Sequence, residues 1–219
     1  MVQLVFHIIK GFAQALFLGL VGLGMLLGAY TLLRAVRLSV DMITRIVGIV
    51  LIAGSVAFCV LALVQSQFAG QLFLIAKLSG ALGAVAFLVS VYSVNQWTMR
   101  RWYVYAKRQA FSSLAEKSRR FMLFLRQHHF FFGWVVLLTA IAHAMYYVPS
   151  LIQHPMYLLQ RPAIFTGTIG LLVLIVLAGL GLWVNSAIKH KRLPGSTRMV
   201  HFATALVFLG VFVLHLISR

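Results

Sequence analysis

Two apolar stretches decide the fold: HHFFFGWVVLLTAIAHAMYY at residues 128–147 and HFATALVFLGVFVLHLISR at residues 201–219. Each is close in length to the roughly 20 residues that a helix needs to cross about 30 Å of hydrocarbon. Of the 219 residues in the chain, 62% are hydrophobic and only 10% are charged, whereas about 25% are charged in a typical soluble domain. The composition therefore predicts an integral membrane protein and excludes a soluble enzyme.

Apolar segments of this kind recur along the whole chain. Each must be helical, because a helix satisfies its own backbone polar groups where lipid offers no hydrogen bonds. The sequence therefore predicts an all-α, polytopic bundle of six transmembrane helices, made of three N-terminal helices in 1–98, a basic loop at 99–127 and a three-helix half at 128–219. The predicted spans are 11–33, 43–65, 72–97, 129–148, 163–187 and 199–217.

The positive charges are distributed unevenly between the two sides of this predicted bundle. Fifteen of the 19 Lys and Arg residues follow the first, third or fifth span. The other four are Lys10, Lys77, Arg161 and Arg219. Because cytoplasmic loops carry the excess of Lys and Arg, the distribution predicts a cytoplasmic 99–127 loop and both termini outside, in a cell inner or plasma membrane. This loop could form a basic amphipathic helix on the anionic leaflet, although a charge run that only sets the topology is favoured.

Two function classes are disfavoured by charge and cysteine content. The formal net charge is +17, but the basic residues lie between apolar spans rather than on a soluble module, so we expect no nucleic-acid binding. Cys59 is the only cysteine. The sequence therefore contains no disulfide framework, no thiolate metal cluster and no c-type haem attachment motif.

Four histidines share one spacing. His129 and His143 are 14 residues apart, and so are His201 and His215. At about 100° and 1.5 Å per residue, the members of each set share a helix face and lie about 21 Å apart along the axis. One span separates the fourth and sixth helices, so these two run parallel. This predicts an inner pair, His129 with His201, and an outer pair, His143 with His215.

Such facing imidazoles suit an iron porphyrin. A bare divalent ion would need three or four protein ligands, whereas a porphyrin supplies four equatorial nitrogens and leaves two axial positions. Interhelical hydrogen bonding is the alternative role for each histidine. The spacing nevertheless predicts two b-type haems between the fourth and sixth helices, with the four histidines as iron ligands. Small residues that could leave room for the macrocycles are Gly133, Ala140, Ala142, Ala144, Ala203, Ala205 and Gly210.

Several neighbouring residues have more than one predicted role. Arg126 and Arg198 each precede an inner histidine by three residues and could bind haem propionates, although interfacial charge would place them there in any case. Arg219 could act in the same way outside. His128 is an alternative inner ligand, since the angle around the helix axis between His128 and His143 also keeps them on nearly the same face. The remaining histidines, expected to be solvated, are His7, His154 and His190.

The two histidine pairs resemble the haem ligands of two-haem membrane cytochromes b, especially the ferric reductase-like transmembrane domains shared with NADPH oxidases. The resemblance covers mainly residues 120–219. It implies that single electrons pass between stacked haems across the bilayer. No dinucleotide fingerprint or phosphate loop occurs in the chain, so the expected donor is a quinone, a cytochrome or another redox subunit. Residues that could lie at an electron entry or exit are Tyr146, Tyr147 and His154 outside and Trp102 and Tyr103 inside, although interfacial anchoring by aromatic side chains explains them equally well.

Two other function classes stay open on sequence alone. One is a non-catalytic pigment-binding or scaffold subunit, although a chlorophyll takes one axial histidine and does not require facing pairs. The other is a haem or metal transporter, which would usually contain helices broken at the midplane. All four prolines lie instead in loops or near span ends. The favoured expectation is the electron-transfer subunit of a membrane oxidoreductase.

Overall fold

The computed structural model describes residues 39–64, 72–156, 160–190 and 195–218. Within these ranges the chain is almost entirely helical and forms no strand. In chain order the helices are α1 (Val40–Leu63), α2 (Leu72–Arg108), α3 (Ser112–Met145), α4 (Val148–Gln153), α5 (Pro162–Lys189) and α6 (Gly195–Ile217).

Five of these helices, all except the short α4, are long and apolar enough to cross a membrane. They correspond to the second to sixth predicted spans, whereas the first, 11–33, lies outside the described residues. Large apolar side chains face outward, with Phe73 73% and Val50 64% exposed. Soluble proteins rarely expose apolar surface so extensively. The chain is therefore an integral membrane protein whose outer surface contacts lipid.

The predicted connection at 99–127 is helical over most of its length. Helix α2 continues to Arg108 and α3 begins at Ser112, so only 109–111 lie between them. The hydropathy pattern marks where lipid ends, whereas Lys, Arg and Glu continue a helix readily in water. The 37 residues of α2 make a helix about 55 Å long, against about 30 Å of hydrocarbon. Together α2 and α3 form a helical hairpin that extends beyond the apolar segment.

Helix α3 lies at the centre of the bundle and packs against α1, α2 and α5, while α5 packs against α6. One core cluster joins α1, α2 and α3 through Phe58, Ala62, Ile75 and Ala142. Ala142 is fully buried there, which differs from the predicted place of this residue beside a macrocycle. Within the described part of the chain, α3 and α6 are not among the closely packed helix pairs.

Candidate functional site

The four predicted histidines form two facing pairs in the structure. The ring centroids of His129 and His201 are 6.2 Å apart with an interplanar angle of 85°. Those of His143 and His215 are also 6.2 Å apart, with an angle of 74°. Because α3 and α6 do not pack closely, the imidazoles reach toward each other across the space between these helices.

His128, the alternative inner ligand, has its own partners on another side of α3. It is 4% exposed, and its Nε2 lies 2.7 Å from Asp41 Oδ1. Its Nδ1 lies 2.9 Å from the carbonyl oxygen of Phe124. Both ring nitrogens of His128 therefore already have polar partners, Asp41 and Phe124, within hydrogen-bond distance. This geometry favours His129 as the candidate inner ligand.

Glycines on neighbouring helices receive three of the four candidate rings. On α2, a Cβ at Gly83 would lie 3.1 Å from Nδ1 of His143. In a helix, a side chain covers the surface of the preceding turn, so glycine leaves the carbonyl four residues earlier accessible. That carbonyl belongs to Ser79, and it accepts a 2.8 Å hydrogen bond from His143 Nδ1. We call a glycine together with this carbonyl a glycine notch.

The same arrangement holds His215 on α5. A Cβ at Gly167 would lie 3.1 Å from Nδ1 of His215, and the carbonyl four residues earlier belongs to Ala163. His215 Nδ1 donates to this carbonyl at 2.8 Å. Nδ1 of both outer histidines therefore carries a proton, so Nε2 is the nitrogen that bears the lone pair in the neutral ring.

The inner pair is held less tightly. A Cβ at Gly181 would lie 3.4 Å from Cε1 of His201, so this ring also rests in a notch. The corresponding carbonyl, that of Leu177, lies near the ring, yet His201 Nδ1 is buried without a hydrogen-bond partner. Ser93 Oγ is another buried oxygen without a partner. The antiparallel register that joins Ser79 to His143 places Ser93 on α2 at the level of His129.

An apolar layer separates the two pairs. Val136 is seven residues from each α3 histidine, and Phe208 is seven residues from each α6 histidine. Leu174 lies midway between the two notch glycines of α5. These three residues are each 5% exposed and form one buried cluster. The side chains of this layer offer no polar group that could hold water between the two levels.

Sequence reasoning missed the notches, although a signal for them was present. Gly167 and Gly181 on α5 are 14 residues apart, the same interval as the histidines. On α2, the residue 14 positions after Gly83 is Trp97. Its ring stacks on Phe202 with centroids 5.2 Å apart, directly beside an inner histidine. The interval therefore recurs on four helices, and glycine occupies three of the four corresponding positions on α2 and α5.

The remaining predicted residues lie around these pairs. Arg126 and Arg198 are exposed, one turn before the inner histidines. The ring centroid of Tyr147 lies 5.7 Å from that of His143, whereas Trp102 contacts Tyr105 on the extension of α2. His154 and His190 are exposed at helix ends. His7 and Arg219 lie outside the described residues.

The geometry of both pairs fits a metal held between two imidazoles. With metal–nitrogen bonds of about 2 Å and each nitrogen about 1 Å from its ring centre, two axial rings would have centroids about 6 Å apart. A Cβ at Gly133 or Gly210 would meet no described atom within 4 Å, so there is open space beside α3 and α6. No group of three or more His, Cys, Asp or Glu converges among the described residues. Each pair offers two imidazole donors, so a metal bound there would need further ligands of its own.

Comparisons of this chain with protein-family models, with curated proteins and with solved structures find no match. What the chain does must therefore be inferred from its own geometry.

Proposed function

We propose that this chain is a di-haem cytochrome b that transfers electrons across a membrane. The observation that carries the proposal is the presence of two imidazole pairs with the same 6.2 Å separation. They lie on two membrane-spanning helices and at levels about 21 Å apart. His129 and His201 would hold one b-type haem, and His143 and His215 the other. When bound, each haem supplies reversible one-electron chemistry at its iron.

The protein's own contribution is to orient the ligands and to keep water out. The Ser79 and Ala163 carbonyls hold the outer rings through hydrogen bonds from Nδ1. The layer of Val136, Leu174 and Phe208 places a dry, low-dielectric medium between the two levels. No acid or base is required for electron transfer, which agrees with the absence of Asp and Glu from the middle of the described spans.

The partners that this function needs lie on opposite sides of the membrane. A quinone, a cytochrome or another redox subunit would exchange electrons with one pair, and an acceptor or donor on the other side with the second pair. Trp97 and Phe202 form an aromatic stack next to the inner pair, and Tyr147 touches the outer pair. These aromatic residues are the candidates for electron exchange at the inner and outer levels.

The direct test is a reduced-minus-oxidised optical spectrum of the purified protein, with extracted haem quantified per chain. We expect sharp b-type bands and two haems per polypeptide, because each pair supplies one complete axial set. A preparation supplied with haem during expression that contains none would contradict the proposal. It would favour the pigment-binding, scaffold or transport alternatives instead.

Arg126→Gln and Arg198→Gln are expected to weaken retention of the inner haem. A charge-assisted hydrogen bond to a propionate contributes about 1.5–3 kcal/mol, so losing one should speed haem loss by at least about tenfold. Transfer of haem to apomyoglobin measures this rate. Arg120→Gln is the matched control, because its side chain is 78% exposed and pairs with Glu116. Equal rates in all variants would remove the propionate role.

A further inference from the structure

A groove on one face of α2 begins where this helix leaves the apolar segment. Its lining residues are exposed, and the space between their side chains measures about 400 Å³. They follow one another at alternating intervals that keep them on one helix face over about three turns. The groove therefore combines guanidinium groups with aromatic rings. Its lining residues are Trp97, Arg100, Arg101, Val104, Tyr105 and Arg108.

The guanidinium groups of this groove have no acidic partner in the chain. The sequence contains two acidic residues, Asp41 and Glu116. Asp41 pairs with Arg45 at 3.1 Å. Glu116 pairs with Arg119 at 3.5 Å and with Arg120 at 2.8 Å. Both carboxylates are engaged elsewhere, so the positive charge of the groove must be balanced by anions that the side chains of this protein do not supply.

The aromatic residues of the groove place it at the surface of the membrane. Trp97 is the last residue of the apolar span predicted from the sequence, and its ring stacks on Phe202. Tryptophan and tyrosine concentrate where hydrocarbon meets the headgroups. From Trp97 to Arg108 the helix rises about 16 Å along its axis. The groove therefore crosses the headgroup layer, which is about 5–8 Å thick.

This combination suits the phosphate of a lipid headgroup. A guanidinium group binds phosphate oxygens through paired N–H donors. The guanidinium carbon of Arg101 lies 3.9 Å from the ring centroid of Trp97, and this cation–π contact holds the donors in place. The same ring offers an apolar surface to the first methylene groups of an acyl chain. An acidic protein segment would meet the same positive charges, but it would gain nothing from an aromatic ring at the edge of the hydrocarbon.

We propose that this groove is a binding site for an anionic phospholipid. Arg100 and Arg101 bind the phosphate, Trp97 contacts the start of an acyl chain, and Arg108 adds positive charge on the side of the water. None of the lining residues is a candidate iron ligand. The inference therefore goes beyond the proposed function and stands whether or not the chain binds haem.

The test is the binding of radiolabelled phosphatidylglycerol to the purified, immobilised chain in detergent. Unlabelled phosphatidylglycerol and phosphatidylcholine with the same acyl chains serve as competitors. We expect phosphatidylglycerol to compete at a concentration at least about tenfold lower, because each cation near an anionic headgroup strengthens binding about fivefold. Equal competition by the two lipids would overturn the inference.

Arg100→Gln combined with Arg101→Gln should reduce this preference at least about fivefold. The matched control combines Arg119→Gln with Arg120→Gln. It removes the same number of charges from exposed positions of α3, which the antiparallel register with α2 places at the level of the groove. Glu116 already pairs with both control residues, so the preference should persist. An equal loss in the two double variants would show that net charge alone attracts the lipid, and the assignment to the groove would be wrong.

Two further competitors identify the class of ligand. Inorganic phosphate and a glutamate-rich peptide are added at equal ionic strength, and we expect neither to displace the labelled lipid. Displacement by inorganic phosphate would assign the groove to a free phosphate. Displacement by the peptide would assign it to an acidic protein. Either result would overturn the assignment to a lipid.

Discussion

His143→Ala and His215→Ala are each expected to lower the haem content from two to one per chain. Removal of one imidazole would leave the haem iron with a single histidine ligand from the protein. We expect that one ligand is too few to hold the haem against extraction by detergent or transfer to apomyoglobin. His129→Ala and His201→Ala should remove the other haem. Extracted haem, with the optical bands of the reduced protein, measures the result. The pattern of loss is the decisive result. If two histidines on different helices share a haem, substitution of either one must remove the same haem.

His190→Ala is the matched control for these four variants. This histidine is exposed at the end of α5, so its replacement should leave both haems in place. Retention of both haems in all four ligand variants would disprove the assignment. Loss of different centres from His143→Ala and His215→Ala would show that the facing rings do not share a metal.

Asp41→Ala is expected to lower the stability of the α1–α3 contact and to loosen the inner haem. The substitution leaves the N–H of His128 buried without its acceptor, at a cost of about 1–3 kcal/mol. His128 and His129 are consecutive residues of α3, so their side chains point in directions about 100° apart around the helix axis. By binding Asp41, His128 fixes the rotation of α3 that turns the next residue toward His201. Thermal unfolding in detergent and inner-haem occupancy measure the two effects.

Asp41→Asn distinguishes the effect of the hydrogen bond to His128 from the effect of the negative charge on Asp41. The amide oxygen still accepts from His128, so this variant should retain most of the stability and both haems. Arg45→Gln should cost less than about 1 kcal/mol, since an exposed ion pair contributes little. Similar unfolding temperatures and haem contents for the alanine and asparagine variants would exclude a positioning role for this bond.

The helices and the histidine pairing could be predicted from sequence because both depend on the spacing of residues along the chain. Apolar length marked the spans, and the 14-residue interval placed four imidazoles on matching faces. The structure brings His129 to His201 and His143 to His215 at equal separations. Their role as iron ligands remains a prediction, as do the two haems and the sidedness.

Features that depend on contacts between helices could not be predicted in the same way. Nothing in the local sequence indicates that His128 turns to Asp41, a residue 87 positions away. A helix within 99–127 was an open alternative, but its continuity with the two spans could not be predicted, because hydropathy marks the edge of lipid and not the end of a helix. Ala142 looked suitable for a macrocycle on size alone, yet a small residue serves equally well where three helices meet, as it does beside Phe58 and Ile75.

The vertical separation of the two pairs has an electrical consequence. An axial distance of about 21 Å is roughly two thirds of the hydrocarbon thickness, so most of a transmembrane voltage would fall between the two levels. Each electron that passes from one level to the other would then exchange about 1.5 kcal/mol with every 100 mV of that voltage. Charge movement between these histidines would be electrogenic, and an energised membrane would shift the balance between the centres as strongly as a change in their ligands.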